Sequence, residues 1–293
     1  MFWTWVNDIM QGILTGGLYA LFACGLSLLF GVMKVVNLAH GDLAVVGAYI
    51  GIGIIAVTHM PFLWSIPVVC VLMAVLGYVL QRSLIQSALN RGELTTLIVT
   101  FGLSIVIENG LQQFFTADTR GYGVGSSIES SSFTIKWLGQ FGWLPVSIFI
   151  VAVIVLLALQ YFLSVSKYGR MIRAVADDRE AALLSGVNAR HVFGIAAALA
   201  FATVGLGGVA YSMSGTVVPT TGTDTILLFA FAAVVIGGLG SLWGTLLGGI
   251  VLGVAQEIGA QINISYEALA GYAIFLVVLV LRPQGLTARR SSS

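Results

Sequence analysis

Charge is scarce in this sequence. Of 293 residues, 13 are Lys or Arg and 12 are Asp or Glu, 9% together, against about 25% in a soluble domain. A net charge of +1 provides no electrostatic footprint for a nucleic acid. Cysteine is nearly absent too: Cys24 and Cys70, each inside an apolar run, offer neither a disulfide framework nor metal-ligand spacing and read as small buried hydrophobes. The five prolines, at 61, 67, 145, 219 and 283, fall mostly at the ends of apolar runs, where they punctuate helices. No Lys or Arg precedes Lys34, so the start lacks the positive region of a cleaved secretory signal. Phe2, Trp3 and Trp5 read instead as interfacial anchors of a retained first span. No lysine follows a glycine, which excludes a G-x-x-x-x-G-K-[ST] phosphate cradle. No Ser/His/Asp or Cys/His constellation stands out either, and His59 and His191 read as interfacial groups.

What the chain has is apolar length. With 58% hydrophobic residues and a mean hydropathy of +1.00, it cannot hide its apolar surface in one soluble core. Runs such as 146–163 are apolar on every side, which excludes the alternating strands of a membrane barrel. The pattern predicts an all-α polytopic membrane protein, a single domain over 1–293. Expected spans are 9–33, 41–58, 62–81, 94–115, 145–164, 192–213 and 266–282. The interval 225–261 is too long for one straight helix, and Gly237-Gly238-Leu239-Gly240-Ser241 predicts a break, giving 225–238 and 243–261. The count is nine, or eight if one half is re-entrant. Glycine is abundant, 36 residues, in clusters that let helices approach closely or break, as helices around a transport cavity do. Gly16 to Gly31 and Gly237 to Gly253 are loosely alike, too weakly to assert an inverted repeat.

Basic residues alternate between loops as the positive-inside rule requires. Lys34, Arg82 with Arg91, the 167–191 loop and the tail with Arg282, Arg289 and Arg290 are expected on the cytoplasmic side. The Gly- and Ser-rich 116–144 segment, with Arg120 and Lys136 beside Asp118 and Glu129, is placed outside. The N-terminus is then outside and the C-terminus inside.

The polar stretch 165–191 holds Lys167, Arg170, Arg173, Arg179 and Arg190 with Asp177, Asp178 and Glu180. Asp177 or Asp178 can cap a short amphipathic helix over 177–187, and Gly186 can end it. Glu180-Ala181-Ala182 followed after three residues by Gly186 resembles the EAA loop of ABC importer permeases, which docks into a groove on the ATP-hydrolysing subunit. The family's later Leu-Pro is missing after Ile195, a departure from the maltose-type branch. A second stretch, Gly17-Leu18-Tyr19-Ala20-Leu21, Asn37-Leu38-Ala39-His40-Gly41-Asp42 and Gly47-Ala48-Tyr49, closely resembles the start of branched-chain amino-acid importer permeases of the LivH/LivM type. The likeness covers most of the chain.

That resemblance implies the ABC importer permease fold and a bacterial inner-membrane subunit that translocates branched-chain or related amino acids by alternating access. It implies a second permease subunit forming a heterodimer, two ATPase subunits that carry ATP-Mg, a periplasmic substrate-binding protein, and no cofactor or enzymatic activity in this chain. Arg170, Arg173, Arg179 and Glu180 are then candidate contacts to the ATPase, with Ala181, Ala182 and Gly186 shaping the docking helix. Other substrates of related permeases (urea or amides, aromatic acids, sugars) and an ATP-independent secondary transporter stay open as alternatives.

Polar residues inside spans suggest a path, though each has a structural alternative. Asn37 can cap the second span and Asp42 can favour its positive end; alternatively Asn37, His40 and Asp42 support a gate near the cytoplasmic mouth. Ser104, Glu108, Asn109 and Gln112 form a polar face that lines the path or packs on another span. Glu257 with Gln256 and Gln261 is read in the same way. Tyr19 and Thr96 join the path candidates, Thr96 in company with Thr95 and Thr100.

Overall fold

The computed structural model of the chain describes residues 2–59, 61–116, 118–122, 132–135 and 139–287. Glu129, Lys136, Arg289, Arg290 and the side chains of Phe2 and Trp3 lie outside what it describes. The fold is helical: α1 (Phe2–Met33), α2 (His40–Thr58), α3 (Phe62–Leu80), α4 (Gln86–Leu89), α5 (Glu93–Phe115), α6 (Trp143–Val165), α7 (Lys167–Asp177), α8 (Arg179–Leu184), α9 (Ala189–Ser214), α10 (Leu227–Gly237), α11 (Leu242–Ile262) and α12 (Glu267–Leu281). Two π turns, Gln81–Ile85 and Gly222–Ile226, join α3 to α4 and lead into α10. Two short strands, β1 (Ser132–Ile135) and β2 (Gly139–Gly142), pair antiparallel in the Gly- and Ser-rich segment. Among the described residues, eight helical stretches are long and apolar enough to cross a membrane, and Gly222–Gly237 is a shorter apolar helix.

Helix ends follow local chemistry. Ser166, Asp178, Asn188 and Ser241 each accept a backbone N–H in the first turn of α7, α8, α9 and α11, supplying acceptors for the donors that a helix start leaves unpaired. The break over 238–241 falls where two glycines have positive φ, Gly238 (110°) and Gly240 (84°), a conformation side chains resist.

The two central helices are α1 and α9, with 78% and 72% of their apolar windows buried against 17% for α5 and 6% for α12. Small residues bring their partners close. A Cβ on Gly16 of α1 would stand 2.6 Å from the Cα of Ile250 in α11, and one on Gly47 of α2 2.6 Å from the Cα of Gly205 in α9. Such backbone contact supplies the van der Waals packing that holds helices together when lipid offers no hydrophobic drive. The glycine likeness between Gly16 to Gly31 and Gly237 to Gly253 therefore marks packed partners: Gly16 backs onto Gly249 and Ile250, and Gly31 onto Gly240.

An inverted correspondence lies elsewhere. After α1 ends beside the basic loops, residues 34–39 turn back, and α2 starts at the depth of Phe22, whose carbonyl oxygen accepts from His40 Nε2 at 2.9 Å. Phe22 lies eleven residues before the end of α1, or about 16 Å along the helix at about 1.5 Å per residue. After α9 ends at the opposite face, where Val217 bridges Arg120, residues 215–221 turn back and the second π turn starts against α2. A Cβ on Gly41 would overlap the Gly222 carbonyl oxygen, and one on Gly222 would stand 2.6 Å from the Cα of Asp42. Two helix starts thus meet inside the molecule, one reached from each face, an arrangement that inverted repeats produce.

Candidate functional site

Asp42 lies at that meeting point. It is fully buried in the first turn of α2, yet it does not cap the helix. Ala39 holds the N-cap position without a side-chain bond, and the Asp42 carboxylate reaches other elements. Ser104 Oγ of α5 donates to Oδ2, and Thr223 Oγ1 donates to Oδ1 at 3.0 Å. The two hydroxyls lie 3.4 Å apart. One side chain therefore ties α2, α5 and the π turn before α10 together with hydrogen bonds of the stronger, charge-assisted class when the carboxylate is ionised. Asp42 lies in the first turn of α2 as expected, and the converging backbone in addition puts hydroxyl donors of two other elements within its reach. His40 and Asp42 lie inside the molecule, at the level of Phe22.

The neighbouring candidates divide. Asn37 Oδ1 accepts from the Ala39 N–H at 3.1 Å, closing the turn ahead of α2 rather than capping it. His40 is fully buried and spends Nε2 on the Phe22 carbonyl. Tyr19 donates to Gln256 Oε1 at 2.5 Å and packs on the Phe229 ring, joining α1, α11 and α10. Glu257, beside Gln256, accepts from Thr15 at 3.4 Å. Thr96 returns its hydroxyl to the Gly92 carbonyl of its own turn, while Thr100 accepts the Leu38 N–H at 3.2 Å. The polar face of α5 also splits. Ser104 points to Asp42, Glu108 accepts from Gln112 at 3.3 Å, and Asn109, one residue on and so about 100° around the helix, is exposed.

The basic end contains the second candidate region. The short helix expected within 177–187 is α8, and of the two candidate caps it is Asp178 that starts it: its Oδ1 accepts the N–H groups of Glu180 (2.9 Å) and Ala181 (3.0 Å). Its far end is a Schellman closure: Val187 N–H bonds the Ala182 carbonyl, Gly186 N–H bonds that of Leu183, and Gly186 has φ +81°. Ala182 is buried beneath, while Glu180 and Ala181 are exposed. Three of the arginines are engaged within the chain. Arg170 donates to the Val165 carbonyl (2.8 Å) and Arg173 to that of Ser164 (3.1 Å), so both cover the C-terminal carbonyls of α6, where cations are favoured. Arg179 donates to Asn90 Oδ1 at 3.5 Å and lies 5.5 Å from the centroid of the Phe193 ring, tying α8 to α4 and α9.

Three kinds of residue take places in the structure that their sequence positions do not signal. Thr223 has no neighbour in the sequence that signals its partner. Leu183 and Leu184 are 50% and 90% exposed at the basic end. Gln81, expected at the end of a span, opens the first π turn of a continuing helix. The exposed leucines were visible in principle, since a six-residue helix capped at both ends must turn part of an apolar pair outwards.

Against known proteins, residues 9–281 match the family model described as the branched-chain amino acid transport system permease component. The chain is 29% identical to the high-affinity branched-chain amino acid transport system permease protein BraD of Pseudomonas aeruginosa, over 97% of this chain and 96% of that protein. It is 28% identical to LivH of Salmonella typhimurium, a permease protein of the same description, over the same shares. Among solved structures it resembles PsaBC from Streptococcus pneumoniae in complex with Fab, with a TM-score of 0.51 at 14% identity, covering 95% of this chain and 91% of that one; this likeness bears on fold alone.

Proposed function

The chain belongs to the family of branched-chain amino acid transport system permease components, and from that premise we propose that it is the membrane subunit of an ATP-driven importer of branched-chain amino acids. In this reading it pairs with a second, related permease chain, two ATPase subunits carry ATP-Mg, and a periplasmic binding protein delivers the amino acid. The chain sits in the bacterial inner membrane with its N-terminus outside and its basic loops, including 165–191, in the cytoplasm. The observation that carries the coupling is α8: six residues, closed by Asp178 at one end and Gly186 at the other, presenting Leu184 at 90% exposure among basic residues. A capped, rigid knob of this kind suits a groove on a soluble partner, where a buried apolar anchor dominates the energy of a contact. Substrates outside the amino acids are not favoured, because the matching family and the relatives are described by branched-chain amino acids.

Motion at α8 has two routes into the membrane. It passes directly into α9 through Arg179 on Phe193, and into α4 through Asn90. α9 leads through residues 215–221 to the π turn that holds Thr223 against Asp42. Displacing α9 relative to α5 would then stretch or release the Asp42 junction, and opening at one face would alternate with opening at the other. The test is purification of the complex with its ATPase subunits. Leu184→Asp should abolish their co-purification and leave the amount of inserted permease unchanged. Retained ATPase subunits in that variant would overturn this docking assignment.

A further inference from the structure

Between the end of α1, the returning 34–39 segment and the first π turn lies a cavity of about 20 Å3, lined by Met33, Asn37, Gln81, Thr96 and Thr100 among others. Two amide donors there have no partner among the described residues, Asn37 Nδ2 and Gln81 Nε2, in side chains only 5% and 1% exposed. Leaving such a group buried and unpaired is costly, so two of them on residues that line one small space point to a ligand. The space limits the ligand's size: one water needs about 10–15 Å3, so there is room for one and not two. The donors limit its chemistry. They require an oxygen that accepts twice, and the hydroxyl oxygens of Thr96 and Thr100 on the same wall give its own two hydrogens acceptors.

The position of this space matters as much as its contents. Gln81 opens the π turn, a feature that often marks a functional adjustment of a helix. One turn on, Gln86 donates to Asn90 Oδ1 at 3.2 Å, the oxygen that also receives Arg179 of α8. On the other side, Asn37 holds the Ala39 N–H three residues before Asp42. We propose that the cavity binds one ordered water that joins the π turn to the segment carrying Asp42, making Gln81 and Asn37 positioning residues in a link from α8 to α2. The water site stands on the buried donors and the cavity; the link rests on the transport reading above.

A double-variant cycle tests the site on the purified permease alone. Gln81→Met and Asn37→Leu keep side-chain volume and remove one donor each. Each should lower the melting temperature, and the double variant should melt no lower than the worse single one, because either change already removes the bridge. Loss of the Ala39 contact is common to the Asn37 single and double variants and cancels. Additive shifts would overturn the water site. If Asn37→Leu does not insert, Thr100→Val replaces it in the cycle with the same expectation. In the assembled transporter, Gln81→Met should lower substrate moved per ATP hydrolysed by about threefold, the scale of coupling that intermediate residues carry, with the ATPase subunits still bound. An unchanged ratio would overturn the link. A wild-type preparation that binds no ATPase would instead overturn the transport reading and leave the melting cycle to decide the water.

Discussion

Asp42 holds three elements because it has two oxygens and two hydroxyl donors from different parts of the chain, Ser104 and Thr223. Asp42→Asn keeps the shape but turns one acceptor into a donor facing a hydroxyl. Hydrogen bonds to a charged group contribute about 1.5–3 kcal/mol each, so thermal unfolding in detergent should reveal a loss of about 2 kcal/mol. Ser104→Ala in the same background should cost less than it does alone, since the two share one interaction; equal costs would mean that the junction is not a unit. Gly41→Ala is a second residue-scale test. The added methyl overlaps the Gly222 carbonyl, and overpacking of this kind costs roughly 1–3 kcal/mol. Asn37 to Asp42 stood out in the sequence as polar groups at the start of an apolar run. Their partners did not, because Ser104 is 62 residues away and Thr223 is 181, and no local pattern encodes contacts at that separation.

At the scale of elements, α8 divides support from contact. Its caps, Asp178 and Gly186, fix where it starts and stops, and Leu184 stands free of the protein's own core. Gly186→Arg introduces a side chain into open space, with nothing within 4 Å of the new Cβ, and strains only a backbone at φ +81°; the steric cost of the left-handed region is about 1–2 kcal/mol. Insertion should therefore survive and uptake in whole cells should fall, through a misplaced α8. Unchanged uptake would remove this helix from the mechanism. Hydropathy runs located the spans well: 62–81, 94–115 and the break at 237–241 correspond to α3, α5 and the α10 to α11 turn. The start of α8 at the aspartate pair was legible, but the π turns were not, nor which of the two aspartates caps the helix. A π turn costs one extra residue in a helix that composition reads as continuous, and Asp178 caps by local backbone geometry that either aspartate could have adopted.

At the scale of the molecule, two helices enter from opposite faces and start at a shared junction, with the basic loops gathered at one end. The composition revealed the membrane class and the alternation of basic loops; the inverted arrangement emerged only when Gly41 met Gly222. Orientation is checked with single cysteines in a Cys24→Ala, Cys70→Ala background: a membrane-impermeant maleimide should label Thr216→Cys from outside intact cells and Leu184→Cys only after lysis. Reversed labelling would invert the assignment of both faces. The central claim, that this permease is driven through α8 by a separate ATPase, is tested most directly by reconstituting it in liposomes with its permease partner, ATPase subunits and binding protein, and measuring leucine uptake. Uptake should require ATP hydrolysis and disappear with Leu184→Asp. Uptake driven by an ion gradient, without nucleotide or ATPase subunits, would contradict the account.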